Sequence, residues 1–441
     1  MERADAADAY LNEVLAHVRW KKAHGAIRQE LCDHIEDARL GFLARGMDDG
    51  EAQKKAVAEM GNAADVGARF DKAYRPAKNY GVWIPFAALY LLGTLLCAIA
   101  VGSEAFSFST FFFPFVFAAA CFFPLGRLAR HGLPLYGLFL AVFTGWALIA
   151  YFSHEPSPYH LKYLALFFPL VYALLIYRMR GRGPRAILLL GVFFAIQVAL
   201  SSFIFFYERA WILSLFLACL AELLCAALSG WFSRNRYWGA LLILVPTLLF
   251  IVAYLNAAPL LADPNFFENF SASYMYDTGY LRELLASVRW FGAADTAALS
   301  EGGRAFLFGN LSIDAMRLCF FAWLAGRFGL LASLSAAALF LSFFAFALKA
   351  CFRQKSVLYR TASLGIILHF LFGFSVQALA SFGLIPALGL LPFLSVNGIS
   401  LLFDAALAGL LFSMLYNGSL ADDEAVKRLP RWRLKFVKET E

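Results

Sequence analysis

Three ionisable residues stand inside otherwise apolar stretches of this 441-residue chain: Glu222, His369 and Asp404. Charged side chains are costly inside a membrane, so they usually face the interior of a helix bundle or a water-filled cavity, where they act on substrates or protons. We therefore take these three residues as candidates for function. The alternative is that they are buried partners of each other or of loop arginines.

The composition of the chain shows why such residues stand out. The sequence is 61% hydrophobic and only 16% charged, whereas an ordinary soluble domain is about 25% charged. Apolar stretches of about 20 residues can cross a bilayer as helices. Ten such runs occur, at about 81–102, 107–125, 134–153, 160–177, 185–206, 210–232, 238–255, 329–350, 361–382 and 399–416. We predict an all-α, polytopic membrane protein. Its 7 cysteines form no CxxC pair, so neither a metal site nor a disulfide is expected.

The net charge is +7. The distribution of the positive residues fits the topology of a membrane protein better than a nucleic-acid site. Lysines and arginines gather in alternate loops between the apolar runs, and the positive-inside rule places such loops in the cytoplasm. With ten spans both termini are then cytoplasmic, and the basic tail at 421–441 lies against the membrane surface. The same topology puts two segments outside the cell, a large loop at 256–314 and the stretch Gly383–Ser400.

Residues 1–75 are more polar than the rest, and we predict a small cytoplasmic helical domain there, ahead of a membrane domain at 76–420. One helix ends at Gly46, and another starts near Glu51 and breaks at Gly61. The first of these helices is expected to carry one apolar stripe, formed by Leu31, Ile35, Leu40 and Leu43.

An irregular segment, GLIPALGLLPFLSVNGIS at Gly383–Ser400, separates the last two apolar runs. Its prolines, glycines and polar residues break helices and favour turns. At membrane depth such backbone is tolerated where it lines a cavity instead of facing lipid. We therefore expect this irregular segment to shape a polar pocket, and an ordinary tight outer loop is the alternative.

The irregular segment and the LLFDAALAGLLFSM that follows it resemble the signature of the SEDS family, the shape, elongation, division and sporulation proteins. The matching positions are Gly383, Leu384, Pro386, Gly389, Pro392, Phe393, Ser395, Gly398 and Ser400. The chain departs from the pattern at Leu388, Asn397 and Ile399, and it lacks one residue between Gly389 and Pro392. DTGYLRELLASVRWFG and SPYHLKYLALFFPLVYALLIYRMRGRG resemble other segments of clostridial-type members, and residues 1–75 resemble a prefix domain found ahead of permeases.

The resemblance implies a peptidoglycan glycosyltransferase in the cell membrane that serves cell wall synthesis in division or shape control. Such enzymes polymerise lipid II, an undecaprenyl-pyrophosphate-linked disaccharide peptide, on the outer face of the membrane, usually with a class B penicillin-binding protein as partner. A carboxylate near the acceptor hydroxyl takes its proton. Cations of the protein, or a divalent metal such as Mg²⁺, neutralise the pyrophosphate. No other cofactor and no nucleic-acid partner is expected.

The family's catalytic aspartate corresponds best to Asp314 in NLSIDAMRLCFFAWLAGRFG. Asp314 stands four residues further from Arg327 than the family pattern predicts, a shift of about one helical turn. A solvated acid at the start of a helix is the alternative. The predicted substrate-binding set combines the irregular segment, the acid after it and outer arginines that can meet phosphate. It consists of Pro386, Gly389, Pro392, Ser395, Asn397, Gly398, Ser400, Arg282, Arg317 and Asp404.

Two other functions remain open on the sequence alone. A transporter of lipid-linked precursors would use an acidic relay through Glu222 and Asp404 without needing Asp314. A non-catalytic scaffold of the cell wall machinery would explain the departures from the family motif as the loss of an active site.

The arginine distribution predicts that Thr296 is outside the cell and that Gly183 is inside. In a background without reactive native cysteines, a membrane-impermeant thiol reagent applied to intact cells should label Thr296→Cys and spare Gly183→Cys. Labelling of Gly183→Cys without labelling of Thr296→Cys would show that the topology is the reverse of the predicted one. The site predicted outside the cell would then lie inside it.

Overall fold

The computed structural model describes residues 2–75, 79–101, 108–123, 125, 131–153, 161–204, 209–233, 235–245, 247–248, 280–309, 316, 319–384, 391–393 and 398–418. Within these residues all regular secondary structure is helical, which confirms the predicted all-α class. The chain divides into two compact units. Among the described residues, the first consists of 2–75, Gln354–Ser356 and 415–418, and the second of those between Asn79 and Arg353 and between Val357 and Met414.

Four helices form the N-terminal part of the first unit: α1 (Glu2–Ala16), α2 (His24–Leu43), α3 (Asp49–Glu59) and α4 (Ala63–Tyr74). Polar residues cap the last two, because the side chain of Asp48 accepts the N–H of Gly50 and that of Asn62 accepts the N–H of Ala64. Such caps satisfy main-chain donors that a helix start leaves unpaired. One core joins the four helices, with Leu11, Val14, Ile27, Leu31, Ala52 and Ala56 among its buried residues.

The apolar stripe of α2 differs from the prediction at one position. Leu31 is buried, but Leu40 is 51% exposed, and Phe42 is buried in its place. Leu40 follows Leu31 by about two and a half helical turns and so points to the opposite face, whereas Phe42 follows by about three turns. The predicted helix ends are confirmed, since α2 stops before Gly46 and α3 before Gly61.

An ion pair ties α4 to the turn after α1. Arg19 donates its main-chain N–H and its guanidinium to the carboxylate of Asp71, with a closest distance of 2.7 Å. These hydrogen bonds hold the pKa of the Asp71 carboxyl below its usual value. The pair therefore stabilises this unit at neutral pH. That stabilisation is lost as the pH falls below the usual aspartate pKa of about 4, towards the lowered one.

The remaining helices are mostly apolar. In chain order they are α5 (Tyr80–Val101), α6 (Phe108–Cys121), α7 (Gly132–Ser153), α8 (Phe168–Met179), α9 (Arg185–Ile204), α10 (Arg209–Leu228), α11 (Arg236–Val245), α12 (280–287), α13 (Glu301–Phe308), α14 (Phe320–Phe328), α15 (Leu330–Phe352), α16 (Val357–Ser381) and α17 (Gly398–Asn417). By length and composition, α5, α15, α16 and α17 can each cross a membrane. Six shorter apolar helical stretches, between Ser109–Cys121 and Arg236–Val245, overlap the other six predicted runs. The polytopic membrane fold is thus confirmed.

Two kinds of helix surface occur in the second unit. Helices α8, α10 and α16 pack against one another, and α16 is buried along much of its length. By contrast, α5 and α15 carry large apolar residues on exposed faces, among them Ile84, Leu91, Leu95, Leu334 and Leu341. Exposed apolar faces on helices of spanning length are expected where the neighbour is lipid.

Candidate functional site

The irregular segment begins at the C-terminal end of α16. The N–H of Gly383 donates to the carbonyl of Ala380 at 2.9 Å, and the N–H of Leu384 donates to the carbonyl of Leu379 at 3.1 Å. Gly383 has a φ of +68°, a conformation that glycine adopts without steric cost. This pair of bonds is a Schellman motif, so the chain leaves α16 in a fixed direction at the first residue of the family-like motif.

Further along the irregular segment, Phe393 is held in an unusual conformation. Its φ is +66°, which costs a residue other than glycine of the order of 1–3 kcal/mol. Its buried ring packs against three other rings, with centroid distances of 5.3 Å to Phe86, 5.7 Å to Phe343 and 4.8 Å to Phe370. These rings belong to α5, α15 and α16, so three helices fix the position of Phe393.

Asp404 supplies the polar contact that completes this arrangement. The N–H of Phe393 donates to the Oδ2 atom of Asp404 at 3.1 Å, and the bond is buried. A buried main-chain donor without a partner is costly, and a carboxylate is a strong acceptor for it. Asp404 on α17 therefore holds the turn of the irregular segment at Phe393. A substrate contact for Asp404 stays a prediction.

A second group of helices, α12, α13 and α14, packs closely together. A methyl group added at Gly326 would overlap with Leu284 and Leu307, both of which are buried. The carboxylate of Glu283 accepts the N–H and the hydroxyl of Ser300 at 3.2 and 2.7 Å. Arg282, on the same helix as Glu283, is exposed.

The irregular segment and the group formed by α12, α13 and α14 meet at the end of α16. The N–H of Phe321 donates to the hydroxyl of Ser381 at 3.2 Å, and the Sγ atom of Cys319 lies 3.9 Å from the carbonyl of Ala380. Gly383 also faces α12, because a Cβ atom built on it would lie 3.5 Å from Leu281. The helix that carries Arg282, the start of α14 and the start of the irregular segment are therefore neighbours.

The structure describes part of the predicted site. Pro392 and Ser400 are buried, Gly398 is the first residue of α17, Asp404 is buried and Arg282 is exposed. The other predicted residues lie outside the described part of the chain: Asp314, Arg317, Pro386, Gly389, Ser395 and Asn397. Within the described part, no three His, Cys, Asp or Glu side chains lie close enough to hold a metal ion.

Glu222 lies in a different place, where α10 packs against α16, and His369 is a residue of α16. Both are buried. Neither carboxylate oxygen of Glu222 has a hydrogen-bond partner among the described residues, and the same holds for Nδ1 of His369. A Cβ atom on Gly365 would overlap with the Oε1 atom of Glu222, so the acid fits against α16 only because this position is glycine. The predicted pairing with a loop arginine is not seen for Glu222 in the described residues.

The role of Asp404 as an acceptor predicts different effects for two replacements. Asp404→Asn keeps a side-chain oxygen for the N–H of Phe393, whereas Asp404→Leu leaves that buried donor unpaired, at a cost of about 1–3 kcal/mol. We expect thermal unfolding of the purified protein to show Asp404→Leu as clearly destabilised and Asp404→Asn as close to the parent. Equal destabilisation by both would mean that the charge matters, and stability in both would mean that the bond contributes nothing.

Comparison with known proteins gives a match in fold only. No family model matches the chain, and no curated protein matches its sequence. The fold is similar to that of a chain in a solved structure describing the structural coordination of polymerization and crosslinking by a peptidoglycan synthase complex. The TM-score is 0.57 at 17% identity, and the match covers 77% of this chain and 97% of the other. The two chains therefore share a fold over nearly the whole of that protein.

Proposed function

We propose that this chain is a SEDS-like glycosyltransferase that polymerises lipid II on the outer face of the cell membrane. The observation that carries the proposal is the fold match to nearly a whole chain of a peptidoglycan synthase complex, in a sequence whose irregular segment resembles the SEDS signature. The contacts of the irregular segment support it, because a pocket that binds one substrate needs walls that do not move.

In the proposed reaction, the hydroxyl of one sugar attacks the anomeric carbon of the next lipid-linked disaccharide. The bond to the pyrophosphate breaks, and the pyrophosphate leaves with the electron pair. Asp314 takes the proton of the attacking hydroxyl as general base. Arg282 and Arg317 neutralise the charge that develops on the leaving group. Since the described residues offer no ligand set for a metal ion, no step is assigned to a divalent cation such as Mg²⁺.

The contacts next to Asp314 support its place in this reaction. Asp314 precedes Cys319 by five residues, a stretch that spans at most about 18 Å when fully extended. Cys319 touches Ala380, three residues before the irregular segment starts. We therefore propose that Asp314 reaches the irregular segment and the helix that carries Arg282.

The proposal also includes a partner protein and an orientation in the membrane. The fold match to a member of a complex that polymerises and crosslinks supports a class B penicillin-binding protein as partner. The arginine distribution supports cytoplasmic termini and an outer active site.

The proposal predicts that Asp314→Asn loses polymerisation while it keeps folding and partner binding. Asparagine has the size and polarity of aspartate but cannot accept the proton, so we expect a fall of about 10²–10⁴-fold, the usual contribution of a positioned base. The assay uses purified chain and lipid II, with and without a class B penicillin-binding protein, and measures glycan strand length. Asp277→Asn, in the same large loop, is the matched control and should polymerise like the parent.

Each failure of this assay has a different meaning. If Asp314→Asn polymerises like the parent, the base is another residue and the four-residue shift was evidence against Asp314. If the parent is inactive with every class B partner, the glycosyltransferase proposal falls and the scaffold and transport functions remain.

Transport of a lipid-linked precursor is a second candidate function, and Glu222 is the observation that favours it. An acid with no partner among the described residues, buried between apolar helices of a membrane protein, is typical of sites that carry protons or ions. Glu222→Gln separates the two functions when it is tested both in the polymerisation assay and in an assay of lipid II movement across vesicle membranes. A polymerase should tolerate it, whereas a transporter should lose lipid II movement across vesicles and should not depend on Asp314.

A further inference from the structure

Two large aromatic side chains protrude from the second unit next to each other. Trp290 is 63% exposed and Phe291 is 76% exposed. Both belong to a short loop at 288–294, here called the aromatic loop, which follows α12. Adjacent exposed aromatic side chains in a folded region usually mark a surface that contacts another molecule or a membrane.

The aromatic loop is attached to the start of α15 and to the end of α14. Two main-chain N–H groups of α15 donate to the loop, Leu330 to Arg289 at 2.9 Å and Leu331 to Trp290 at 3.3 Å. Two N–H groups of the loop donate to α14, Gly292 to Phe328 at 3.2 Å and Ala294 to Gly326 at 2.7 Å. Gly329 permits the close approach, because it has a φ of +99° and its Cβ would lie 2.7 Å from the carbonyl of Trp290. The aromatic loop and the first turn of α15 are thus one rigid piece.

This attachment fixes the level of the aromatic loop relative to a membrane. Helix α15 runs for 23 residues from Leu330 and is apolar enough to cross a bilayer. At 1.5 Å per residue it is about 35 Å long, slightly more than the hydrocarbon thickness of about 30 Å. The first turn of α15 therefore lies at the boundary between hydrocarbon and headgroups, and the aromatic loop lies at the same boundary.

The side chains around the aromatic loop suit that boundary. Phe308 and Phe328 are also partly exposed, and the guanidinium of Arg327 lies over the ring of Phe308 at 4.4 Å. Arg289 pairs with Asp295 at 2.8 Å. Tryptophan is enriched where an apolar layer meets water, and arginines at this level can approach lipid phosphates.

We propose that Trp290 and Phe291 insert into the membrane–water interface at the N-terminal end of α15, so that lipid headgroups and upper acyl chains are the partner of the aromatic loop. This inference does not rest on the glycosyltransferase proposal. It would hold equally for a transporter or a scaffold, because it depends only on the bonds between the aromatic loop and a membrane-spanning helix. A protein that covers the same residues is the competing partner.

Fluorescence quenching by brominated lipids tests this proposal on the full chain alone. The purified protein is placed in phosphatidylcholine vesicles whose acyl chains carry bromine either near the headgroup or near the methyl end. The fluorescence of Trp290 is obtained by subtracting the tryptophan fluorescence of Trp290→Phe from that of the parent. This substitution is conservative and lies at an exposed position. We expect bromine near the headgroup to quench the fluorescence of Trp290 strongly and bromine near the methyl end to quench it less.

Two further variants keep the test interpretable. Trp323→Phe removes a fully buried tryptophan of the neighbouring α14, so quenching by either lipid should stay as in the parent. Phe291→Trp adds a reporter beside Trp290 and should add fluorescence that the shallow bromine quenches. The proposal is overturned if Trp290 is quenched by aqueous acrylamide and by neither lipid, since the aromatic loop then stands in water, free for a protein partner. Stronger quenching by the deep bromine would also overturn it.

Discussion

The bond between the main-chain N–H of Phe393 and the carboxylate of Asp404 is the contact on which the irregular segment depends. Inside a bundle of apolar helices, an irregular stretch of backbone brings donors and acceptors that no helix satisfies. Phe393 adds a strained φ to this cost. One acid on the following helix offsets both, and the rings of Phe86, Phe343 and Phe370 exclude alternative positions. The described residues around Phe393 are thereby held in one conformation.

The same physical rule separates Asp404 from Glu222. Both are buried acids on helices of the second unit, but Asp404 has a main-chain partner and Glu222 has none among the described residues. A satisfied acid explains a local structure, whereas an unsatisfied one calls for a ligand, a proton or a conformational change. For this reason Asp404 is assigned to shaping the irregular segment and Glu222 remains the strongest argument for transport.

Much of the fold could be predicted because hydrophobic length is a direct physical signal. Every predicted apolar run overlaps an apolar helical stretch, and Gly46 and Gly61 follow the helix ends where they were expected. The error at Leu40 arose from reading apolar residues without following the helical period. The contacts between Asp404 and Phe393, and between the aromatic loop and α15, could not be predicted. Each joins residues brought together only by packing, and no spacing rule links an acid to a main-chain N–H in another element.

The central claim is that the irregular segment and α12 border the site where lipid II binds. Photo-crosslinking tests it most directly, with a lipid II analogue that carries a photoreactive group on its sugar, purified protein in lipid nanodiscs and mapping of the linked peptides by mass spectrometry. The account predicts crosslinks within 383–400 and within the large loop up to Asp314, all abolished by an excess of unmodified lipid II. Crosslinks confined to α10 around Glu222, or crosslinks that unmodified lipid II does not compete away, would contradict it.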